Sequence, residues 1–168
     1  AGTKDIGLIF LEQKTRFFDE YRADFKDEKV EELLESAYAF SQDMITKLMI
    51  VYQSPKLLTL SRFSYLYSGG AHGNYTTDYF SIDLEKQRRI GLNEILTAPG
   101  KQQLPKLLEK YFRKTYNLAS NTPLTDGGLF ENTIAPNDNY FITGKGIGFS
   151  YAPYEIGPYA MGEISIFI

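Results

Sequence analysis

The sequence predicts an α+β fold in which helices pack on one face of an antiparallel β-sheet, a common layered solution for burying apolar surface. Three observations support this prediction. The N-terminal segment has apolar residues at helical spacing, three later segments are rich in β-branched and aromatic residues, and a helix pair follows them before a last set of strands. With 168 residues the chain has the length of a single domain with its own core, spanning 1–168.

The N-terminal segment is predicted to be helical. Phe10, Phe17 and Tyr21 recur at spacings of seven and four residues, which places an apolar stripe along one side of a helix. The charge-rich stretch 26–35 is predicted to continue as a second or kinked helix. Its apolar residues are expected to face inward: Val30, Leu33 and Leu34.

The spacing of apolar residues changes from a helical to a strand-like pattern at about residue 37. Three segments are then predicted to form the strands of an antiparallel meander: Ile45–Gln53, Leu57–Tyr67 and Tyr75–Leu84. Pro55 favours a turn between the first two strands, because its ring fixes φ at a turn position. The glycines of the loop 68–74 permit the positive φ values of a tight connection.

Two helices are predicted after the meander. A short helix is marked by Leu92, Ile95 and Leu96, and a longer one carries Pro105 in its first turn, where a missing N–H costs little. The apolar residues of the longer helix follow one face: Leu104, Leu107, Leu108, Tyr111 and Phe112. The remaining predicted elements are a short helix at Leu129–Asn132 and strands at Asn139–Thr143, Ile147–Tyr151 and Gly162–Ile168, the last with alternating isoleucines.

Composition excludes several classes of function. The net charge of −3 gives no electrostatic reason to expect a nucleic acid partner, and the one tight basic cluster, at 86–89, is predicted to be a solvated turn. The chain has no cysteine, which rules out a disulfide framework and a thiol nucleophile. No apolar run approaches the roughly 20 residues that span a bilayer. We expect an export signal or membrane anchor upstream of Ala1.

The pattern of chemical groups predicts no catalytic residues, no metal site and no cofactor. His72 is the only histidine, and no Gly-x-Ser-x-Gly nucleophile motif is present. His72 is predicted to cap its glycine-rich loop or to bond a backbone carbonyl, with ligand contact as the alternative. Glu155 lies in an apolar, proline-bounded turn and is predicted to hydrogen-bond His72 or a tyrosine hydroxyl, since the two loops are plausible neighbours.

Two patterns of residues allow a catalytic or nucleotide-binding alternative. Asp83 and Glu155 could form the carboxylate pair of a glycosidase, although nothing in their spacing selects them. Gly144, Gly146 and Gly148 are superficially similar to a phosphate loop, but they lie between predicted strands and do not open a helix.

Two motifs carry a family resemblance. The first is Tyr-Leu-Tyr-Ser-Gly-Gly-Ala-His-Gly-Asn at 65–74, and the second, at 141–162, includes Tyr-Glu-Ile-Gly-Pro-Tyr-Ala-Met-Gly. Residues 57–168 resemble the C-terminal extracytoplasmic domain of the anti-sigma factor RsiV. This domain of unknown function also lies beside the deacetylase domain of PdaC. Residues 1–45 resemble the region that usually precedes it. Gly73 stands where proline is common, and Gly157 where alanine is common.

The resemblance implies a non-catalytic binding domain of the cell envelope, because the region in RsiV faces outward and recognises lysozyme. The implied partner is lysozyme or a peptidoglycan-like glycan, and the implied location is extracytoplasmic, exported or lipid-anchored, with membrane contact only through an anchor. Tyrosines on loops make good contact residues, although core packing is their ordinary role. The predicted ligand-binding residues are Gly69, Gly70, His72, Asn74, Tyr151, Tyr154, Glu155 and Tyr159.

Two other functions stay open from the sequence. A glycan-processing enzyme would place Asp83 and Glu155 in one cleft at a separation suited to hydrolysis. A structural module that positions a neighbouring domain would lack a pocket and would leave an apolar edge exposed at one terminus.

Overall fold

The computed structural model of the protein describes residues 6–35 and 41–168. These described residues divide into two compact units, with the boundary between Ser41 and Gln42. That all 168 residues make a single domain stays a prediction. The change of period predicted near residue 37 lies outside the described residues. None of the helices in the described ranges is long and apolar enough to cross a membrane.

The described residues of the first unit form two helices, as predicted. Helix α1 spans Ile6–Asp24 and helix α2 spans Val30–Glu35, separated by a turn in which the Glu28 N–H donates to the Phe25 carbonyl (3.2 Å). Of the residues expected to face inward, Val30 and Leu34 are exposed and Leu33 is half-buried.

The second unit opens with a four-stranded antiparallel sheet. Its strands are β1 (Asp43–Gln53), β2 (Leu57–Tyr67), β3 (Asn74–Asp83) and β4 (Arg88–Arg89), and they lie in sequence order. The first three confirm the predicted meander. The two-residue strand β4 pairs with the end of β3 and was not predicted, since two arginines carry no strand periodicity.

A helix pair follows the first sheet, as predicted, in the form of α3 (Leu92–Ile95) and α4 (Ala98–Thr115). Helix α4 begins earlier than predicted, because the Thr97 hydroxyl accepts a hydrogen bond from the Gly100 N–H (3.2 Å) and Pro99 occupies the first turn. Pro105 therefore lies inside the helix and not in its first turn.

The last strands form a separate three-stranded antiparallel sheet: β5 (Tyr140–Thr143), β6 (Gly146–Tyr151) and β7 (Ile164–Phe167). Two 3-10 helices, at Leu124–Gly127 and Tyr159–Met161, lie in the connections. The first of them replaces the short helix predicted at 129–132. The turn at 144–146 joins two strands, so the glycine pattern there is a hairpin and not a phosphate loop.

The hydrophobic core lies between α4 and the three-stranded sheet. Helix α4 contributes Leu104, Leu108 and Phe112, each 1% exposed or less. In β7 the alternation predicted from the isoleucines is confirmed, since Ile164 and Ile166 are buried while Ser165 and Phe167 are exposed. The other buried apolar members of the core are Leu124, Leu129, Ile134, Tyr140, Phe149 and Tyr151.

Buried polar side chains connect the two sheets. The Thr59 hydroxyl donates to the Ile142 carbonyl (2.6 Å), and the Ile142 N–H donates to the Ser81 hydroxyl (3.0 Å). Nearby, Asn139 accepts from the Tyr79 N–H (2.9 Å) and donates to the Thr77 carbonyl (2.8 Å). These bonds satisfy backbone groups of both β3 and β5, and so fix where the second sheet lies on the first.

Candidate functional site

The first motif forms the loop between β2 and β3. Gly69 and Gly70 both adopt positive φ, at 94° and 91°, a backbone conformation that side chains bearing a Cβ rarely adopt. The Tyr67 hydroxyl donates to the Gly70 carbonyl (3.1 Å) and holds the loop at its start. At its end, Asn74 is exposed as the first residue of β3 and pairs with Leu66.

The second motif forms a turn after β6 that is held by Glu155. Its carboxylate accepts hydrogen bonds from the Ala152 N–H and from the Asn137 side-chain amide, both at 2.8 Å. The prediction of a structural role for Glu155 is thus confirmed, whereas the partners suggested for it, His72 or a tyrosine hydroxyl, were wrong. The side chain closes its own turn through these two amide donors.

Within this turn Tyr154 has a left-handed backbone. Its φ is 71°, which is unfavourable for a residue with a large side chain. A hydrogen bond from the Tyr154 N–H to the Gly157 carbonyl (3.1 Å) holds the backbone in place. The consequence is that the phenol ring projects outward, with 55% of the residue exposed.

The two motif loops meet through His72 and Tyr159. Their rings are stacked, with centroids 4.0 Å apart and planes 18° apart. The Tyr159 hydroxyl donates to the Gly73 carbonyl (2.9 Å), and Nδ1 of His72 donates to the same carbonyl (3.1 Å) in the tautomer that is protonated there. The predicted bond from His72 to a backbone carbonyl is confirmed. The two loops, whose adjacency the sequence could not establish, are in direct contact.

Around this stack four rings form what we call the aromatic cluster: His72, Tyr75, Tyr154 and Tyr159. The centroid of the Tyr159 ring lies 5.6 Å from that of Tyr154 and 6.0 Å from that of Tyr75. Desolvation, followed by the neighbouring tyrosines, raises the pKa of the Tyr159 hydroxyl above its usual value. The hydroxyl therefore stays protonated and keeps its bond to Gly73 at physiological pH.

Tyr65 supports the cluster from beneath. A Cβ at Gly73 would lie 2.5 Å from the Tyr65 ring, so the ring packs directly on the glycine backbone. Tyr65 is paired with Tyr75 in the register of β2 and β3. Sequence reasoning left Tyr75 out of the predicted site, because the register that pairs it with Tyr65 is known only from the structure.

Tyr151 lies in the core and not on the surface. It is 1% exposed, and its hydroxyl donates to the Ala135 carbonyl (2.8 Å). Burial, and then the nearby charge of Glu155, raise the pKa of this hydroxyl. Tyr151, which was predicted to bind a ligand, instead anchors the start of the turn from within the core. Two other predicted ligand-binding residues, His72 and Tyr154, are exposed.

Asp83 and Glu155 do not share a cleft. Asp83 ends β3 and accepts hydrogen bonds from the N–H groups of Lys86 (2.9 Å) and Glu85 (3.0 Å), and the Lys86 bond is the main cause of its lowered pKa. Glu155 adjoins the aromatic cluster, which lies beside the first residue of β3. Ten residues of strand at about 3.3 Å each place the two ends of β3 about 30 Å apart.

Other acidic residues form no metal site in the described ranges. Residues 6–35 and 41–168 contain no group of three or more His, Asp or Glu side chains that could hold a metal ion.

Glu163 accepts a hydrogen bond from the buried Ser150 hydroxyl (2.6 Å), and Ser165 donates to Ser150 (3.2 Å). This small network binds β6 to the start of β7.

Comparison with known proteins links part of the chain to a family of unknown function. Residues 94–168 match the model of DUF3298, described as a protein of unknown function. No curated protein matches the chain. The matched stretch includes the second motif and helix α4 but begins after the glycine-rich loop.

Two solved structures have a similar fold. A member of the DUF3298 family from Bacteroides fragilis shares 26% identity at a TM-score of 0.85, over 98% of this chain and 66% of that one. A DUF3298 family protein from Pseudomonas aeruginosa shares 20% identity at a TM-score of 0.59, over 82% of this chain and 62% of that one. This chain thus spans just under two thirds of the length of either protein. Residues 94–168 therefore match DUF3298, and the chain shares the fold of these two solved DUF3298 proteins.

Proposed function

We propose that this protein is a non-catalytic binding module of the cell envelope, which recognises lysozyme or a peptidoglycan-like glycan through the aromatic cluster. One observation carries the proposal. The stack of His72 on Tyr159 joins the two motif loops into one surface, beside which the Tyr154 ring is exposed. A surface built from two loops and several rings suits recognition better than acid–base chemistry, for which it offers no free carboxylate.

The surface is organised before a ligand arrives. The Gly73 carbonyl accepts from the other loop, and Glu155 closes the Tyr154 turn through two hydrogen bonds. A rigid surface loses little conformational entropy on binding, so more of the contact energy is available for affinity. Tyrosine adds a large flat area with few rotatable bonds and a hydroxyl at its edge.

Both candidate partners fit this chemistry. The C–H face of a sugar ring can pack on an exposed phenol or imidazole, while its hydroxyls bond ring nitrogens and loop carbonyls. A protein such as lysozyme can bury the same rings as central contacts. Both motifs resemble the RsiV domain, which recognises lysozyme. This resemblance supports lysozyme as the partner and an extracytoplasmic location.

The direct test is biolayer interferometry of the purified chain against c-type lysozyme and, in parallel, against soluble peptidoglycan fragments. The proposal predicts saturable binding to one of the two. Binding should weaken in His72→Ala, with the circular dichroism spectrum unchanged. Absence of binding to both ligands at high micromolar concentration would overturn the proposal, and so would binding that His72→Ala leaves unchanged.

A further inference from the structure

The second half of α4 and the loop after it border an open hollow of about 710 Å³. The hollow lies on the exposed side of the helix, opposite the residues that α4 buries in the core. Its surface is polar and apolar in nearly equal parts. The charged residues of the lining are four cations and one carboxylate, Lys106, Lys110, Arg113, Lys114 and Glu109, and residues 117–120 complete it.

The three lysines form a regular stripe. Lys106, Lys110 and Lys114 are spaced four residues apart, so they follow one face of α4 at intervals of about 6 Å. Among the described residues no carboxylate forms an ion pair with any of them. Lys110 instead lies 5.7 Å from the centroid of the Tyr111 ring. Three uncompensated ammonium groups are therefore concentrated in one hollow of a chain whose net charge is −3.

The other two charged side chains of the hollow, Arg113 and Glu109, are paired with each other. Arg113 donates to the Glu109 carboxylate from Nε (2.9 Å) and Nη2 (2.8 Å), which neutralises the one acid in the lining. The same guanidinium donates to the carbonyls of Ala119 (2.8 Å) and Thr122 (2.7 Å) and so holds the loop after the helix. The lysine ammonium groups are consequently the charged donors left for a ligand.

We propose that this hollow binds a linear chain of phosphate groups. Ammonium groups act as compact point charges that suit phosphate oxygens, and the arginine of the hollow, whose side chain could pair with an anion in a bidentate way, is already occupied. A row of charges at intervals of about 6 Å fits an extended chain with repeated anions.

The experiment measures the affinity of the purified chain for linear polyphosphate by isothermal titration calorimetry. Lys106, Lys110 and Lys114 are replaced together by glutamine, which preserves helix propensity. The control replaces three exposed lysines elsewhere, Lys14, Lys47 and Lys145, and changes the net charge by the same amount. We expect binding by the wild type and the control, about tenfold or more weaker binding by the α4 variant, and a salt dependence of log K with slope about −2.

Several results would overturn the proposal. One is that polyphosphate does not bind. Another is that the control variant loses as much affinity as the α4 variant, because equal losses would indicate attraction to net charge alone. Equal affinity for polyglutamate of matched length would show that the hollow takes an acidic protein segment instead. Circular dichroism of both variants ensures that a loss of affinity is not a loss of fold.

Discussion

The imidazole ring of His72 lies flat against the phenol ring of Tyr159, with centroids 4.0 Å apart. One ring belongs to the loop after β2 and the other to the connection before β7, so this contact joins two segments that are distant in sequence. The Gly73 carbonyl strengthens the junction by accepting from the Tyr159 hydroxyl at 2.9 Å. The aromatic cluster is therefore a property of both loops together, and a change in either loop should alter it.

Replacement of Tyr154 should reveal the strain of its backbone. With φ at 71°, a residue that has a Cβ costs about 1–2 kcal/mol relative to glycine. We predict that Tyr154→Gly is more stable than Tyr154→Ala by about 1 kcal/mol, the reverse of the usual order. Urea unfolding of the two variants measures the difference. Equal stability, or a more stable alanine variant, would show that the turn relaxes when the ring is removed.

The hydroxyl of Ser81 should be essential to the junction of the two sheets. In Ser81→Ala the Ile142 N–H loses its acceptor at 3.0 Å in a buried position, since Ser81 is 1% exposed. We expect destabilisation by about 1–3 kcal/mol in denaturant unfolding. Ser68→Ala, at an exposed loop position, serves as the control and should change stability little. Equal effects would mean that the sheets are not held by this bond.

Glu155 should stabilise the turn that carries Tyr154. Glu155→Ala removes the acceptor for both the Ala152 N–H and the Asn137 amide, and we expect a loss of about 1–2 kcal/mol. The matched control is Glu131→Ala, an exposed glutamate to which the structure gives no side-chain hydrogen bond. Thermal unfolding compares the two. A control variant destabilised as much as Glu155→Ala would contradict the assignment.

Acid should weaken the contact of Glu94 with Arg88. The Arg88 guanidinium, at 2.6 Å, and the Gly91 N–H lower the pKa of Glu94 from 4.5 to about 2. A lowered folded-state pKa means that the stabilisation is present above pH 4.5 and is lost as pH falls towards 2.

The measurable consequence is the difference in melting temperature between wild type and Glu94→Gln. It should be largest near neutral pH and shrink on acidification below about pH 4.5, and high salt should reduce it because the pair is exposed. A difference that stays constant across this range would show that the charge of Glu94 contributes nothing.

Local patterns sufficed to predict most elements of the fold. The spacing of Leu104, Leu108 and Phe112 marks the buried face of α4, and alternation marks the buried isoleucines of β7. The start of α4 was missed because Thr97 acts through a cap and not through periodicity. The division into two sheets could not be predicted, since it depends on contacts such as Ser81 with Ile142, which are 61 residues apart.

The candidate site was predictable in part. The motifs indicated which loops matter, and the bond of His72 to a carbonyl follows from a polar ring in a glycine-rich loop. The partner of Glu155 could not be read from sequence, because Asn137 comes from a loop with no periodic signal. The burial of Tyr151 likewise depends on the side of the strand that faces α4, a fact set by tertiary packing.

The most direct test of the account compares two exposed aromatic residues in ligand binding. Tyr154 and Phe130 are almost equally exposed, at 55% and 54%, but only Tyr154 belongs to the aromatic cluster. With the ligand identified by interferometry, the account predicts that Tyr154→Ala raises Kd by about tenfold or more, a loss of about 1.4 kcal/mol, while Phe130→Ala leaves Kd within about twofold. Equal effects of the two substitutions, or a larger effect of Phe130→Ala, would contradict the placement of the binding surface at the His72–Tyr159 junction.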